Sequence, residues 1–201
     1  MILIFQHFVL AFLWILYGII HSLLASIAVK SFLEKNAKGF YRYYRLFYSI
    51  FAFVTLVVLL IFQYSFQSIQ LIQSNLIKYI SVLLLVIPGA LIMMASVYKY
   101  FRLLSGISSL YKSLPKVKLE MEGIHKYVRH PLYTGTLLFV CGLFFIFPFL
   151  NNLIAVLAIT GYTVIGIKFE ERKLLLQFGA RYREYVLKVP MLIPAFKLNT
   201  K

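Results

Sequence analysis

Four stretches of this chain contain no Asp, Glu, Lys or Arg: Met1 to Val29, Leu46 to Ile77, Tyr79 to Tyr98 and Pro131 to Ile167. Each reaches the roughly 20 apolar residues that a helix needs to cross the hydrocarbon core of a bilayer. A lipid-exposed backbone must satisfy its polar groups internally, so such stretches become helices. With 62% hydrophobic residues, the chain has too few polar side chains to clothe a soluble domain of 201 residues. The expected fold is an all-α integral membrane domain.

The spans follow from the charges. The first runs from about Ile2 to Val29, the second from about Leu46 to Phe66, and the third from about Leu76 to Phe101. The run from Pro131 to Ile167 would be roughly 55 Å long as one helix, nearly twice the hydrocarbon thickness. It must fold back, and Pro148, Asn151 and Asn152 supply turn residues. The expectation is five transmembrane helices, the last two forming a C-terminal helical hairpin followed by a basic, amphipathic tail that reads as a surface helix on anionic lipid. The whole of 1–201 reads as a single membrane domain, with three spans and their loops in 1–120 and the hairpin core and tail in 121–194.

Orientation follows from lysine and arginine. The first loop carries Lys30, Lys35, Lys38, Arg42 and Arg45. The loop after the third span carries Lys99, Arg102, Lys112, Lys116, Lys118, Lys126 and Arg129, and the tail carries eight more from Lys168 to Lys201. Lys78 alone falls on the other side. The positive-inside rule predicts an N-out, C-in topology with a cytoplasmic tail. Because the basic residues flank apolar spans and build no soluble face, the net charge of +15 does not indicate nucleic acid. The N-terminal stretch lacks a basic n-region and is too long for a signal peptide, so no cleavage is expected. The single cysteine, Cys141, excludes an intramolecular disulfide.

All six acidic residues (Glu34, Glu120, Glu122, Glu170, Glu171 and Glu184) fall on the predicted cytoplasmic side. Two segments there carry candidate chemistry. In Glu122 to Gly135, Pro131 suits a first helical turn, which places Arg129 and His130 at a helix N-terminus that favours anions. Arg, His and Tyr also anchor helices among headgroups, so this segment alone reads either way. The second segment is Glu170-Glu171, at the end of the fifth span. Adjacent carboxylates against a bilayer must be solvated or paired. A hairpin returns them to the side of Arg129 and His130, which predicts one shared pocket.

His7, Trp14 and His21 recur every seven residues on one face of the first span. Paired histidines can hold haem, but these two sit at opposite ends of the helix, and no His, Cys and carboxylate cluster has zinc spacing. No metal is expected.

The pattern Gly123-Ile-His-Lys-Tyr-Val-Arg-His-Pro-Leu-Tyr133, an apolar hairpin, and then Glu170-Glu171, Leu174, Phe178-Gly179, Tyr182, Tyr185 and Val189-Pro190 resembles the isoprenylcysteine carboxyl methyltransferase superfamily. Phospholipid methyltransferases share that core. His21 to Ser26, Val29-Lys30 and Tyr44-Arg45-Leu46 look like the branch of NnrU-like proteins and bacterial methanethiol S-methyltransferases.

The resemblance implies a methyltransferase using S-adenosylmethionine, with its site facing the cytoplasm of a bacterial inner membrane. Gly123, Ile124, His125, His130, Pro131, Tyr133, Glu170 and Glu171 become the expected cofactor contacts, and Arg129 and His130 the expected catalytic residues. Lys168, where the prenylcysteine enzymes carry an arginine before the glutamates, argues against a prenylcysteine carboxylate. The acceptor classes are a small thiol, a lipid amine or that carboxylate, with membrane lipid as a partner. The alternative is a non-enzymatic NnrU-like protein accessory to respiratory or nitrogen-oxide metabolism. The oligomeric state stays open.

Overall fold

The computed structural model describes residues 2–104 and 119–194. Lys112, Lys116 and Lys118, assigned above to the cytoplasmic loop, lie outside the described residues. Among those described, the elements in chain order are α1 Ile2–Ala25, α2 Ile27–Asn36, α3 Lys38–Tyr64, α4 Asn75–Ser81, a π-helical turn Val82–Val86, α5 Ile87–Leu104, a 3-10 turn Gly123–Lys126, α6 Pro131–Ile146, α7 Leu150–Phe178 and α8 Ala180–Lys188.

The first span is shorter than expected. Ser26 breaks it by accepting a hydrogen bond from the Val29 N–H at 3.3 Å, so it caps a separate helix. Helix α3 starts at Lys38, ahead of the uncharged stretch, so Arg42 and Arg45 ride on its first turns. The π turn ends two residues before Pro88, which cannot donate and whose ring crowds the carbonyl four residues back. The wider turn absorbs that conflict, and the Ile87 N–H reaches back to the Val82 carbonyl.

Helices α6 and α7 form the expected hairpin, turning at Phe147 to Phe149 around Pro148. Asn151 and Asn152 are not in the turn. They open α7, where both are buried. Asn151 Nδ2 donates to the Gln63 carbonyl at 2.9 Å, and Asn152 Oδ1 accepts from Gln63 Nε2 at 2.8 Å and from the Tyr64 hydroxyl at 3.0 Å. Gln63 also accepts from Trp14 Nε1 at 2.9 Å, so one polar network ties α1, α3 and α7 above the apolar cluster of Leu10, Trp14, Leu59 and Ala155.

Helix α5 packs on α6 backbone to backbone. A Cβ on Gly89 would stand 2.6 Å from the Phe139 nitrogen, and one on Gly135 would stand 2.7 Å from the Met93 nitrogen. Small residues at such a crossing are how helices associate where lipid removes the hydrophobic drive.

The exterior is apolar and much of the buried set is polar. Phe5, Phe8, Phe12, Phe53, Ile61 and Leu83 are exposed, while His7, Gln63, Ser96, Asn151, Asn152 and Thr163 are buried. That inversion identifies the surrounding solvent as lipid. Among the described residues, four helices are long and apolar enough to cross a bilayer: Ile2–Ala25, Gly39–Tyr64, the run Asn75–Tyr98 and Leu150–Phe178. At 16 residues, α6 is shorter, about 24 Å against a hydrocarbon core of about 30 Å.

Candidate functional site

The site is built where the hairpin's two arms end. Pro131 is the first residue of α6, where its missing N–H costs nothing, and His130 precedes it. The 3-10 turn Gly123–Lys126 leads into this corner. Its Gly123 has φ +62, which favours glycine. On the other arm, α7 carries Glu170 and Glu171 two turns before its end. Gly179, with φ +54, ends α7 and redirects the chain into α8.

Arg129 joins the arms. Its Nε donates to Glu171 Oε1 at 2.7 Å, and its Nη2 stands 2.6 Å from the same oxygen. His130 Nε2 is 3.1 Å from that oxygen, and His130 Nδ1 is 3.9 Å from Glu170 Oε2. The Arg129 and His130 side chains are almost fully buried, Glu171 is about a quarter exposed, and Glu170 is 45% exposed. Tyr133 lays its ring 5.7 Å from that of His130, and its hydroxyl faces the Glu170 carboxylate. Arg129, His130, Tyr133, Glu170 and Glu171 therefore converge. Pro131 is buried beside them as the start of α6.

His125 contributes through its backbone, since its carbonyl accepts from the Tyr185 hydroxyl at 2.7 Å. Its Nδ1 lies 3.2 Å from the Arg129 carbonyl. Gly123 is exposed with open space where a Cβ would point, and Ile124 accepts from the Tyr127 N–H within the 3-10 turn. These two stand at the edge of the corner, away from the carboxylate contacts.

Sequence reasoning missed how far the tail enters the site. The Arg129 N–H donates to the Pro190 carbonyl at 2.9 Å and the His130 N–H to the Met191 carbonyl at 3.2 Å. Arg129 Nη1 donates to the Val189 carbonyl at 2.6 Å and reaches that of Val186 at 3.3 Å. The Thr134 hydroxyl is shared between the carbonyls of Leu192 at 2.9 Å and His130 at 3.1 Å. Rather than lying free on the membrane surface, α8 buries Tyr182 and Tyr185 against the corner and keeps Arg181, Arg183 and Glu184 exposed. The spacing of Tyr182 and Tyr185, with Val189-Pro190 after them, was the available signal.

Tyr182 is 2% exposed, and its hydroxyl lies beside Glu171 and Arg129 without a well-formed hydrogen bond to either. Burial, and then the Glu171 carboxylate, hold its phenol above the usual tyrosine range. A buried orphan hydroxyl is costly unless something completes it.

The remaining polar features lie elsewhere. His7 Nε2 pairs with the Ser68 hydroxyl at 2.9 Å, and His21 Nε2 pairs with the Tyr48 hydroxyl at 2.6 Å, about 21 Å apart along α1. They do not face one another across a common ligand. Among the described residues, no three His, Cys, Asp or Glu side chains gather as a metal site. A cavity of about 410 Å³ opens at the far end of the bundle, against Tyr64, Phe66, Ser68 and Asn152, away from the charged corner.

An apolar exterior, a polar interior and a charged corner where helices end together define an integral membrane protein with a polar site at one rim. Its family is narrower than that. The chain belongs to the phospholipid methyltransferase family, whose model matches residues 77–181, just over half of the chain.

Curated relatives agree on the chemistry. The chain is 42% identical over 73 residues to a methanethiol S-methyltransferase 2 of Bradyrhizobium diazoefficiens, a match covering 35% of this chain and 27% of that protein. It is 34% identical over 85 residues to a methanethiol S-methyltransferase of Crocosphaera subtropica, covering 41% and 32%. It is 33% identical over 85 residues to one from Mycobacterium tuberculosis, covering 41% and 33%. The matched segment thus spans about a quarter to a third of each relative. No solved structure matches the chain.

Proposed function

We propose that this protein transfers a methyl group from S-adenosylmethionine to a small thiol at the cytoplasmic rim of the membrane. The observation that carries the reading is the convergence of Arg129 and His130 from one arm with Glu170 and Glu171 from the other, in a chain of a methyltransferase family. The relatives named for methanethiol favour the thiol over a lipid amine or a prenylcysteine carboxylate.

The residues present fit such a donor, which presents an ammonium, a carboxylate and a sulfonium. Glu170 keeps an accessible carboxylate whose nearest ionic neighbour, His130 Nδ1, is beyond hydrogen-bond range, and it would hold the ammonium. The first turn of α6, opened by Pro131 and Tyr133, favours the carboxylate. The Tyr133 face suits a cation. The unpartnered Tyr182 hydroxyl is a group awaiting a ligand atom. When bound, the cofactor supplies an electrophilic methyl on sulfur.

Because methyl transfer is an in-line displacement, the protein's work is alignment and exclusion of water. Arg129 and His130 serve here by fixing Glu171 and, through Arg129, the tail that closes over the corner. His125, Gly123 and Ile124 frame the entrance. In this reading the chain is one membrane domain with five spans, N-out and C-in, in a bacterial inner membrane. The short α6 crosses with the help of its flanking corner and turn.

The test is methyl transfer by the purified protein in detergent. Labelled S-adenosylmethionine is offered with ethanethiol, phosphatidylethanolamine or farnesylcysteine. Transfer to the thiol is expected. No cofactor binding at millimolar concentration and no labelled product would end the enzyme reading.

A further inference from the structure

Helices α1 and α3, outside the family match, build a second polar cluster together with α7. His21 on α1 is ringed by Tyr17 at 5.9 Å, Tyr48 of α3 at 5.1 Å and Tyr162 of α7 at 5.8 Å, measured between ring centroids. The Tyr48 hydroxyl lies 2.6 Å from His21 Nε2. Tyr162 reaches α1 because Gly18 has no side chain, and a Cβ there would stand 3.0 Å from the Tyr162 ring. The cluster continues to the charged corner. Tyr133, which faces Glu170, also lies in the neighbourhood of Tyr162 and Tyr48. Four helices thus bring an imidazole and four phenols to the membrane side of Glu170.

We propose that His21, with Tyr17, Tyr48 and Tyr162, forms the site of the methyl acceptor, a small uncharged thiol, and that His21 receives the thiol proton. The inference rests on the methyltransferase reading and adds the acceptor's side of it. A thiol is a poor nucleophile until it loses its proton, and within an apolar bundle water cannot take that proton. In the tautomer with Nε2–H donating to the Tyr48 oxygen at 2.6 Å, Nδ1, which lies 3.1 Å from the same hydroxyl, carries the lone pair that accepts the proton as the thiol displaces that second contact. The S–H bond breaks and its pair stays on sulfur. That sulfur forms the new S–CH3 bond while the donor's C–S bond breaks, and the departing pair neutralises the donor sulfonium. The imidazolium then passes its proton to the cytoplasmic rim. Tyr48 is a positioning residue, acting through His21.

Access and size agree with that occupant. A cavity of about 10 Å³ lies against His21 and Tyr48 between α1 and α3, flanked by Ile20 and Phe51, which are exposed on the lipid side. That room is on the order of one water molecule, so a small thiol enters only as the flanking side chains give way, and a phosphoethanolamine or prenylcysteine head is far too large for it. The titratable groups facing His21 are Tyr17 on its own helix, Tyr48 on α3 with Arg45 near it, and Tyr162 on α7. From α2, Lys30 faces Arg45 and Lys173 instead.

The test uses the full-length protein with His21→Ala, His21→Gln and Tyr48→Phe. S-adenosylmethionine affinity should stay within about twofold of wild type in all three, while kcat with ethanethiol falls on the order of 100-fold for the His21 variants. Trifluoroethanethiol, close to ethanethiol in size but largely ionised at alkaline assay pH, should be methylated at nearly wild-type rate by both, a rescue that a misfolded variant cannot show. In Tyr48→Phe the imidazolium loses its acceptor, so the acid limb of kcat/KM should move to lower pH. Independently of turnover, ethanethiol should perturb one of the four histidine imidazole NMR signals, the one lost in His21→Gln. If wild type binds cofactor and methylates ethanethiol while the His21 variants do so equally well, the inference is overturned and the methyltransferase reading stands. If wild type binds no cofactor, both fall.

Discussion

Arg129 and Glu171, 42 residues apart in sequence, share two contacts to a single carboxylate oxygen, at 2.7 Å from Nε and 2.6 Å from Nη2. The pair closes the open ends of the hairpin, and the remaining guanidinium donor holds the Val189 and Val186 carbonyls. Removing Arg129 therefore releases two things at once. Arg129→Ala should cost about 2–3 kcal/mol, somewhat below the loss typical of a fully buried pair because Glu171 retains some water. Arg129→Lys should recover little of it, since an ammonium cannot reproduce the planar fork. Unfolding in detergent checks both, and full recovery by lysine would contradict this account.

The two glutamates should separate by role. Glu171 is committed to Arg129 and His130, whereas Glu170 is half exposed, with His130 Nδ1 only at 3.9 Å. Glu170→Gln should leave thermal stability near wild type and weaken S-adenosylmethionine binding about 10- to 100-fold, the scale of one lost charge-assisted bond. Glu171→Gln should lower stability first. Calorimetric binding beside a thermal melt distinguishes them, and interchanged phenotypes would refute the assignment.

Tyr182→Phe tests whether the buried hydroxyl awaits a ligand. Deleting an unpartnered buried hydroxyl should leave the free protein equally stable or more stable by up to about 1 kcal/mol. The same change should weaken cofactor binding about fivefold or more. A clear loss of stability without any loss of binding would show instead that the hydroxyl is used within the protein.

The main spans, the hairpin and the convergence of Arg129 and His130 on the glutamates were legible because charge exclusion and turn chemistry act locally. Ser26 escaped notice because a serine inside an apolar run carries no periodic signal, yet its side chain caps α2. Asn151 and Asn152 read as turn residues by composition. In the fold they bridge to Gln63 some 88 residues away, a partner that no local pattern specifies. The tail's basic, amphipathic sequence suggested a lipid-surface helix. That periodicity is real, but the face carrying Tyr182 and Tyr185 meets protein, and sequence alone does not distinguish the two solvents.

The far end of the bundle should be energetically separate from the site. Asn152 accepts from Gln63 and Tyr64 and donates to the Phe147 carbonyl at 2.7 Å. Asn152→Leu strands the Gln63 amide, which is 2% exposed, so a loss of about 2–4 kcal/mol is expected. Cofactor affinity measured below the melting temperature should remain within twofold of wild type. A comparable drop in affinity would show that the network and the rim are coupled.

Helix packing sets the last expectation. At Gly135, one turn past the His130 corner, an added Cβ would meet the Met93 nitrogen at 2.7 Å and the Gly89 carbonyl oxygen at 2.9 Å. Both are backbone atoms and cannot rotate away, so α5 and α6 must part. Gly135→Ala should cost about 1–3 kcal/mol from overpacking. It should also weaken cofactor binding, because α6 carries His130 at its start and Tyr133 in its first turn. Gly161 and Gly166 on α7 have no heavy atom within 4 Å of a built Cβ. Alanine at either should be neutral or stabilising by up to about 1 kcal/mol, the helix-propensity difference. The contrast separates contact from propensity. If Gly135→Ala melts no lower than Gly161→Ala, the close α5–α6 approach is not what holds the corner in place.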